Sequence, residues 1–130
     1  MTTIAIGTAA QRLKIAPDTL RYYDRIGLVR PSLRGPGGRR LYAETDLGKL
    51  RFVQRAQAMN YSLREIKTLL RLRAQPARAR HEVRQATAVK LAEVEQRLET
   101  LAHLRDELRL LLKLCDGSSK GCPILEALDD

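Results

Sequence analysis

Long apolar runs are missing from this 130-residue chain. Nowhere do about 18 apolar residues follow one another, which excludes a membrane-spanning helix. The N-terminus lacks a basic start followed by an apolar core, so no secretory signal is expected and the protein is predicted to be cytoplasmic. Cysteine occurs only twice, and without export both side chains are expected to be thiols open to metal or redox chemistry. Histidine also occurs only twice, as His81 and His103, about six turns apart on one helical stretch. No Ser/His/Asp set, paired carboxylates or phosphate loop is present, so the chain is not expected to be an enzyme. Its length suits one compact domain, or a small domain with a helical appendage.

The charge is present in excess and unevenly spread. The formal net charge is +9, and residues 1–74 hold 15 Lys/Arg against 5 Asp/Glu, whereas residues 75–130 hold 9 against 10. A basic half joined to a near-neutral half predicts a division of labour in which one part meets a polyanion. A membrane surface is a poorer fit, because no lipid-facing apolar stripe accompanies the basic residues.

The stretch from Thr19 to Pro31, T-L-R-Y-Y-D-R-I-G-L-V-R-P, is the most informative. Arg21, Tyr22 and Tyr23 sit on a short helix that suits a DNA backbone, since a guanidinium pairs with phosphate and a phenol adds a hydrogen bond. The spacing of Ala9, Ala10 and Leu13 predicts a helix over 6–13, with Thr8 as its cap. Lys14–Ala16 form a turn, and Pro17 starts a second helix with Asp18 favoured in its first turn. Leu20 and Ile26 are expected to face inward. Two short helices joined by three residues make a helix-turn-helix, whose second helix enters the major groove. After Pro31, Gly35, Pro36, Gly37 and Gly38 favour a hairpin. The segment predicts a two-stranded wing that presents Arg34, Arg39 and Arg40, with Leu41 and Tyr42 just behind.

A third helix is expected over 44–59, with Leu47, Leu50, Phe52, Val53 and Met59 on its apolar side. Ser62 and Glu65 form a capping box for the next helix, which buries Ile66, Leu69 and Leu70. The stretch Leu72–Arg80 contains Pro76 and predicts a hinge. From His81 to Leu114 there is neither Gly nor Pro. Leu91, Val94, Leu98, Leu101, Leu108 and Leu112 fall close to a 3–4 alternation. Such a stripe needs a partner helix, most simply the same helix of a second subunit in a twofold dimer. The expected organisation is a DNA-binding domain at 1–74, a hinge and long helix at 75–114, and an effector loop with a short helix at 115–130. Cys115 and Cys122 bracket six small or polar residues, and a glycine-containing loop can bring two thiols close together. From spacing alone they fit a metal site for a soft ion such as Cu(I), a regulatory disulfide, or unrelated thiols.

Taken together, R-Y-Y-D-R-I-G-L-V-R-P, G-G-R-R-L-Y, the long helix and the closing C-x6-C-P-I-L-E-A-L resemble the MerR family of bacterial transcription regulators over essentially the whole chain. The resemblance implies a mainly α fold: a winged helix-turn-helix domain, a long dimerisation helix forming an antiparallel coiled coil, and a C-terminal metal-binding loop. It implies a homodimer on double-stranded operator DNA, which bends and untwists the promoter for RNA polymerase when an effector binds. By position, Arg21 and Tyr23 would contact phosphate and base edges with Tyr22 alongside, and Arg40 would hold the backbone with Arg39 and Tyr42 in support. Asp18 stands where a copper-sensing relative has lysine.

The metal-sensing branch holds its ion at two loop cysteines, here Cys115 and Cys122. Members that sense divalent ions add a third cysteine at the start of the long helix, contributed from the other subunit, and members that sense Cu(I), Ag(I) or Au(I) have serine there. This chain has Arg80 at that place, followed by His81. Two thiolates with a monovalent ion carry a net charge of −1, which Arg80 or Arg84 can compensate. A monovalent coinage metal is therefore the expected effector. An inward-turned His81 would instead allow a Cys2His site for Zn(II), Cd(II), Pb(II) or Hg(II). A thiol–disulfide switch, to which Asp116 and Lys120 are equally suited, is the alternative from another class. Drug sensing is disfavoured by the short C-terminal part.

Overall fold

The computed structural model describes residues 2–115 and 121–129. By its contacts the chain divides into two compact units, Met1–Val83 and Arg84–Asp130.

The first unit starts with a strand, β1 (Thr3–Ala5), that runs directly into α1 (Ile6–Leu13). The expected cap, Thr8, is an exposed residue inside the helix, and Ala5 occupies the N-cap with extended backbone and no side-chain acceptor. The pairing of β1 overrides the capping signal, because a chain emerging from a strand is already extended where the helix must begin. Lys14 adopts the left-handed conformation at φ 58° and closes α1. Helix α2 (Pro17–Arg25) follows, with Pro17 in its first turn and Asp18 beside it. It ends at Gly27, whose φ of 72° suits glycine, and there Leu28 N–H donates to the Tyr23 carbonyl at 2.9 Å.

The hairpin is the expected wing: β2 (Leu33–Arg34), a 3-10 turn at Pro36–Gly38, and β3 (Arg40–Ala43). It is one strand larger than expected. The antiparallel order is β1-β3-β2, with Ile4 opposite Tyr42 and Arg34 opposite Arg40. Three residues were too short a run for periodicity to reveal β1.

Helix α3 (Glu44–Ala58) buries Leu47, Leu50 and Val53 as expected, but Met59 lies beyond its end and is 65% exposed. Asp46, in its first turn, accepts from the backbone N–H of Ala43 at 2.8 Å and of Ser32 at 2.9 Å, and from the Ser32 hydroxyl at 2.7 Å. This carboxylate holds the segment after α2 against the start of α3. Helix α4 (Leu63–Arg73) has the expected capping box: Glu65 N–H donates to Ser62 Oγ, and Ser62 N–H donates to Glu65 Oε1. Ile66 is fully buried and Leu69 and Leu70 are half-buried. The core of the unit joins α1, α2, β3, α3 and α4 through Leu13, Leu20, Tyr42, Leu47, Leu50, Val53 and Ile66.

The expected hinge over Leu72–Arg80 is far shorter. Helix α4 runs to Arg73 and α5 (Pro76–Leu114, 39 residues) begins after a link of two residues. Proline is tolerated in a first turn, where its missing N–H has no helical acceptor, so Pro76 starts a helix rather than breaking one. In the second unit, Leu91, Leu98, Leu101, Leu108 and Leu112 on α5 are each more than half exposed. A short helix, α6 (Pro123–Asp129), closes the chain. The fold is mainly helical with a small three-stranded sheet.

Candidate nucleic-acid interface

Helix α2 has two faces. Leu20, Tyr23 and Asp24 are buried, while Asp18, Arg21, Tyr22 and Arg25 form the outer face at the spacing i, i+3, i+4, i+7. Arg21 Nη1 donates to Asp18 Oδ1 at 2.6 Å. Tyr22 is 44% exposed, and the Arg25 guanidinium stands 5.8 Å from its ring centroid. Tyr23 faces the other way: its hydroxyl donates to Gln57 Oε1 at 3.3 Å, so it anchors α2 on α3.

The turn of the wing closes where Gly35 N–H donates to the Arg39 carbonyl at 2.8 Å. Gly37 and Gly38 both have positive φ, 72° and 78°, conformations that side chains with a Cβ adopt only at a cost. A groove of about 340 Å³ lies between the wing and the two helices, lined by Ala5, Ile6, Arg21, Gly37, Gly38, Arg39 and Arg40. Three of the expected DNA-binding residues, Arg21, Arg39 and Arg40, thus meet in one place. The start of α1 opens onto the same groove, and no side chain caps its first N–H groups. Guanidinium groups and free backbone N–H groups together suit an anion.

Tyr42 is elsewhere. It is 1% exposed beneath the wing, so its ring supports the sheet instead of presenting a surface. Its hydroxyl is buried and has no hydrogen-bond partner among the described residues. Burial above all, with nearby Asp24 adding to it, pushes the phenol above its ordinary value.

Asp24 is the residue that sequence reading passed over. Its Oδ2 accepts from Arg34 Nη2 and from Arg40 Nε, both at 2.7 Å, with the carboxylate side chain only 7% exposed. One arginine comes from each strand of the wing, so one carboxylate fastens both strands to α2. The signal was available, because position 24 follows Leu20 and Tyr23 on the inward face of the helix. An acid on a buried face calls for cations opposite it. Gln54 was missed as well: its Nε2 donates to the Leu13 carbonyl at 2.7 Å and satisfies the end of α1.

At the other end of the chain, Cys115 directly follows α5 and is exposed, and Cys122 directly precedes α6 and is half-buried. Both thiols are free. Gly121 has φ 117°, and a Cβ there would lie 3.1 Å from Glu126 Oε1. Residues 116–120 between the cysteines, Asp116 and Lys120 among them, fall outside the described residues. His81, Arg80 and Arg84 are exposed, and so is His103, whose Nε2 is 4.0 Å from Glu99 Oε1. Among the described residues no three His, Cys, Asp or Glu side chains group as metal ligands.

A winged helix-turn-helix followed by a long, exposed apolar helix defines a class of DNA-binding regulators. The chain belongs to the MerR family: the family model for the MerR HTH regulatory protein matches residues 4–72, and that for MerR, DNA binding, matches residues 47–111. It is 42% identical over 126 residues to the HTH-type transcriptional regulator HmrR of Rhizobium leguminosarum bv. viciae, across 96% of this chain and 97% of that one. It is 33% identical over 124 residues to the heavy metal-dependent transcription regulator 2 of Rhizobium meliloti, across 95% and 84%. Its fold matches the crystal structure of the transcription regulator PbrR691 from Ralstonia metallidurans in complex with lead(II), with a TM-score of 0.83 and 33% identity over 96% of this chain and 98% of that one.

The Asp24 clamp predicts a pH dependence. Burial alone raises the carboxyl pKa, but the bonds from Arg40 and Arg34 outweigh it and hold the group below its ordinary 3.8. A depressed folded value means that the contribution is complete at neutral pH. It is lost as the pH falls from about 3.8 through the lower folded value. Asp24→Asn is expected to lower unfolding stability at pH 7 by about 2 kcal/mol, the scale of hydrogen bonds to charged groups. The variant also loses this part of the acid sensitivity. Urea unfolding of both proteins between pH 7 and pH 3 measures it, and equal acid dependence would show that the clamp contributes nothing.

Proposed function

We propose that this MerR-type transcriptional regulator binds operator DNA as a homodimer and activates a promoter on taking up a thiophilic ion at Cys115 and Cys122. In this reading the liganded dimer bends and untwists the operator so that RNA polymerase can start. The observation that carries it is the convergence of Arg21, Arg39 and Arg40 on one groove, in a chain that ends in two free thiols. Arg21, Arg39 and Arg40 take DNA phosphates with Tyr22 alongside, while Tyr23 and Tyr42 act from beneath by fixing α2 and the wing. A cytoplasmic location goes with this role, and among the described residues no helix is long and apolar enough to cross a membrane.

The dimer is supported by the exposed leucines of α5, which a single helix cannot bury. The effector is a monovalent coinage ion, Cu(I), Ag(I) or Au(I). Two thiolates and one monovalent ion carry a net charge of −1, and Arg80 and Arg84 of the second subunit, brought up by an antiparallel pairing of the long helices, are the cations to offset it. What the ion supplies is a link between the end of α5 and the start of α6, the two elements that the cysteines terminate. A divalent effector is the second reading, favoured by the lead(II) in the solved relative. It needs a third donor, for which His81 of the second subunit is the candidate, since α5 holds a subunit's own His81 far from its Cys115.

Three outcomes test these readings. Arg21→Ala is expected to weaken operator binding by about 100-fold while the dimer persists, since a charge-assisted contact is lost twice. Wild-type affinity should also fall by about 1000-fold between 50 and 200 mM salt if at least six phosphates are neutralised. Electrophoretic or anisotropy titrations measure both, and wild-type-like binding by Arg21→Ala contradicts the placement of the recognition helix. Leu98→Asp combined with Leu101→Asp is expected to convert the dimer to monomer in sedimentation, and an unaltered dimer would remove α5 as the interface. Cys115→Ser and Cys122→Ser are each expected to abolish induction and spare DNA binding. X-ray absorption of the wild type loaded with Cu(I) or Ag(I) is expected to report two short metal–sulfur bonds. Three or four ligands including nitrogen would transfer the case to the divalent reading.

A further inference from the structure

Tyr42 carries a hydroxyl that the fold buries and does not use. The ring is sealed beneath the wing, and the hydroxyl has no hydrogen-bond partner among the described residues. Leaving such a group unpaired is costly, and phenylalanine would fill the same space without that cost. Beside the hydroxyl stands Asp24. Arg40 and Tyr42 are two residues apart on β3 and so share one face of the sheet, and the Arg40 side chain on that face ends on Asp24. Burial first and the Asp24 charge next push the phenol above its ordinary value, so it keeps its proton and remains a donor at neutral pH. Asp24 has an oxygen to offer it. Both arginines end on Oδ2, and Oδ1 accepts no hydrogen bond among the described residues.

A donor and an acceptor are thus neighbours, each without a partner, while two guanidinium groups balance the acid. DNA would disturb that balance. Arg40 is one of the arginines that the proposed function gives to phosphate, and its Nε is held by Asp24. A phosphate on the same guanidinium competes with Asp24 for one positive charge. The Asp24 side chain is too well buried for water to replace what the phosphate takes, and a buried charge that loses its partner is strongly destabilising. We infer that Tyr42 is a positioning residue for the DNA contact: as phosphate draws on Arg34 and Arg40, the Tyr42 hydroxyl donates to Asp24 and keeps the carboxylate satisfied. The arginines can then turn outward while the wing stays on α2.

The inference rests on the proposed DNA binding, and a double-mutant cycle separates the two. The probe is a duplex that the full-length wild type selects from a randomised pool, offered to Tyr42→Phe, Asp24→Asn and the double variant. Tyr42→Phe keeps the ring, and its urea midpoint without DNA is expected to equal or exceed that of wild type, because the hydroxyl has no partner there. Its affinity for the duplex is expected to fall about tenfold, the scale of one hydrogen bond to a charged group. On the Asp24→Asn background the same change is expected to alter affinity by less than about twofold. Wild-type affinity in Tyr42→Phe, or an equal loss on both backgrounds, overturns the inference. So does a lower urea midpoint, which would mean that the hydroxyl is already bonded in the free protein. A second measurement needs only wild type and Tyr42→Phe, and keeps the test open if Asp24→Asn does not fold. With the tyrosine Cζ isotopically labelled for NMR, the resonance missing from Tyr42→Phe is expected to shift when duplex is added to wild type, and an unmoved resonance sinks the idea. If wild type selects no duplex, the DNA-binding reading fails and the inference falls with it.

Discussion

Two arginine side chains, one from each strand of the wing, end on the same carboxylate oxygen of Asp24. The placement of the wing against α2 depends on that meeting. Apart from it, the wing is held by the pairing of β3 with β1 and by Tyr42 in the core, while β2 adds only two residues. With it, the hairpin is bound to the inner face of α2, whose outer face carries Arg21 and Tyr22. Buried ion pairs contribute little net stability against an apolar alternative, yet breaking one leaves uncompensated charge. Such a pair defines geometry more than it adds stability. Here that geometry is the separation between helix α2 and the wing.

Other polar contacts in the unit follow the same pattern, a short side chain tying two segments that sequence separates. Asp46 joins the chain after α2 to the start of α3, Gln54 holds the end of α1, and Gln57 receives Tyr23. Helix α3 carries the three acceptors and donors involved, so it serves as the frame on which the helix-turn-helix is mounted. Its apolar residues form the core, and its polar ones set the orientation of the neighbours.

What was legible in the sequence was what depends on neighbours along the chain. Pro17 marked the start of α2, Ser62 with Glu65 the start of α4, and the spacing of leucines the long helix. The glycines around Pro36 marked the wing. What was not legible depends on partners far away in sequence. Strand β1 exists because β3 lies beside it, and three residues have no periodicity to read. Met59 looked like part of an apolar face, but the helix ends before it. Pro76 looked like a break because proline does break helix interiors, and only the preceding two-residue link makes it a beginning. Among the candidate site residues, Arg21, Arg39 and Arg40 met where charge and spacing suggested. Tyr23 and Tyr42 moved beneath the surface, because a phenol beside an arginine on a helix is as suitable for the core as for a ligand. Asp24 was invisible until the inward face of α2 was known.

Helix α5 runs for 39 residues without interruption, and this turns residue count into angle. Each residue added to or removed from its interior rotates all that follows by about 100° about the helix axis and shifts it by about 1.5 Å. A single deletion between Ala79 and Leu98 would therefore put the later leucines of the stripe out of phase with the first turns of the helix, without removing a single one of those leucines. Length along this segment is under tighter constraint than composition. Many side chains there can be exchanged, whereas an insertion or deletion can be repaired only by a second, opposite one nearby.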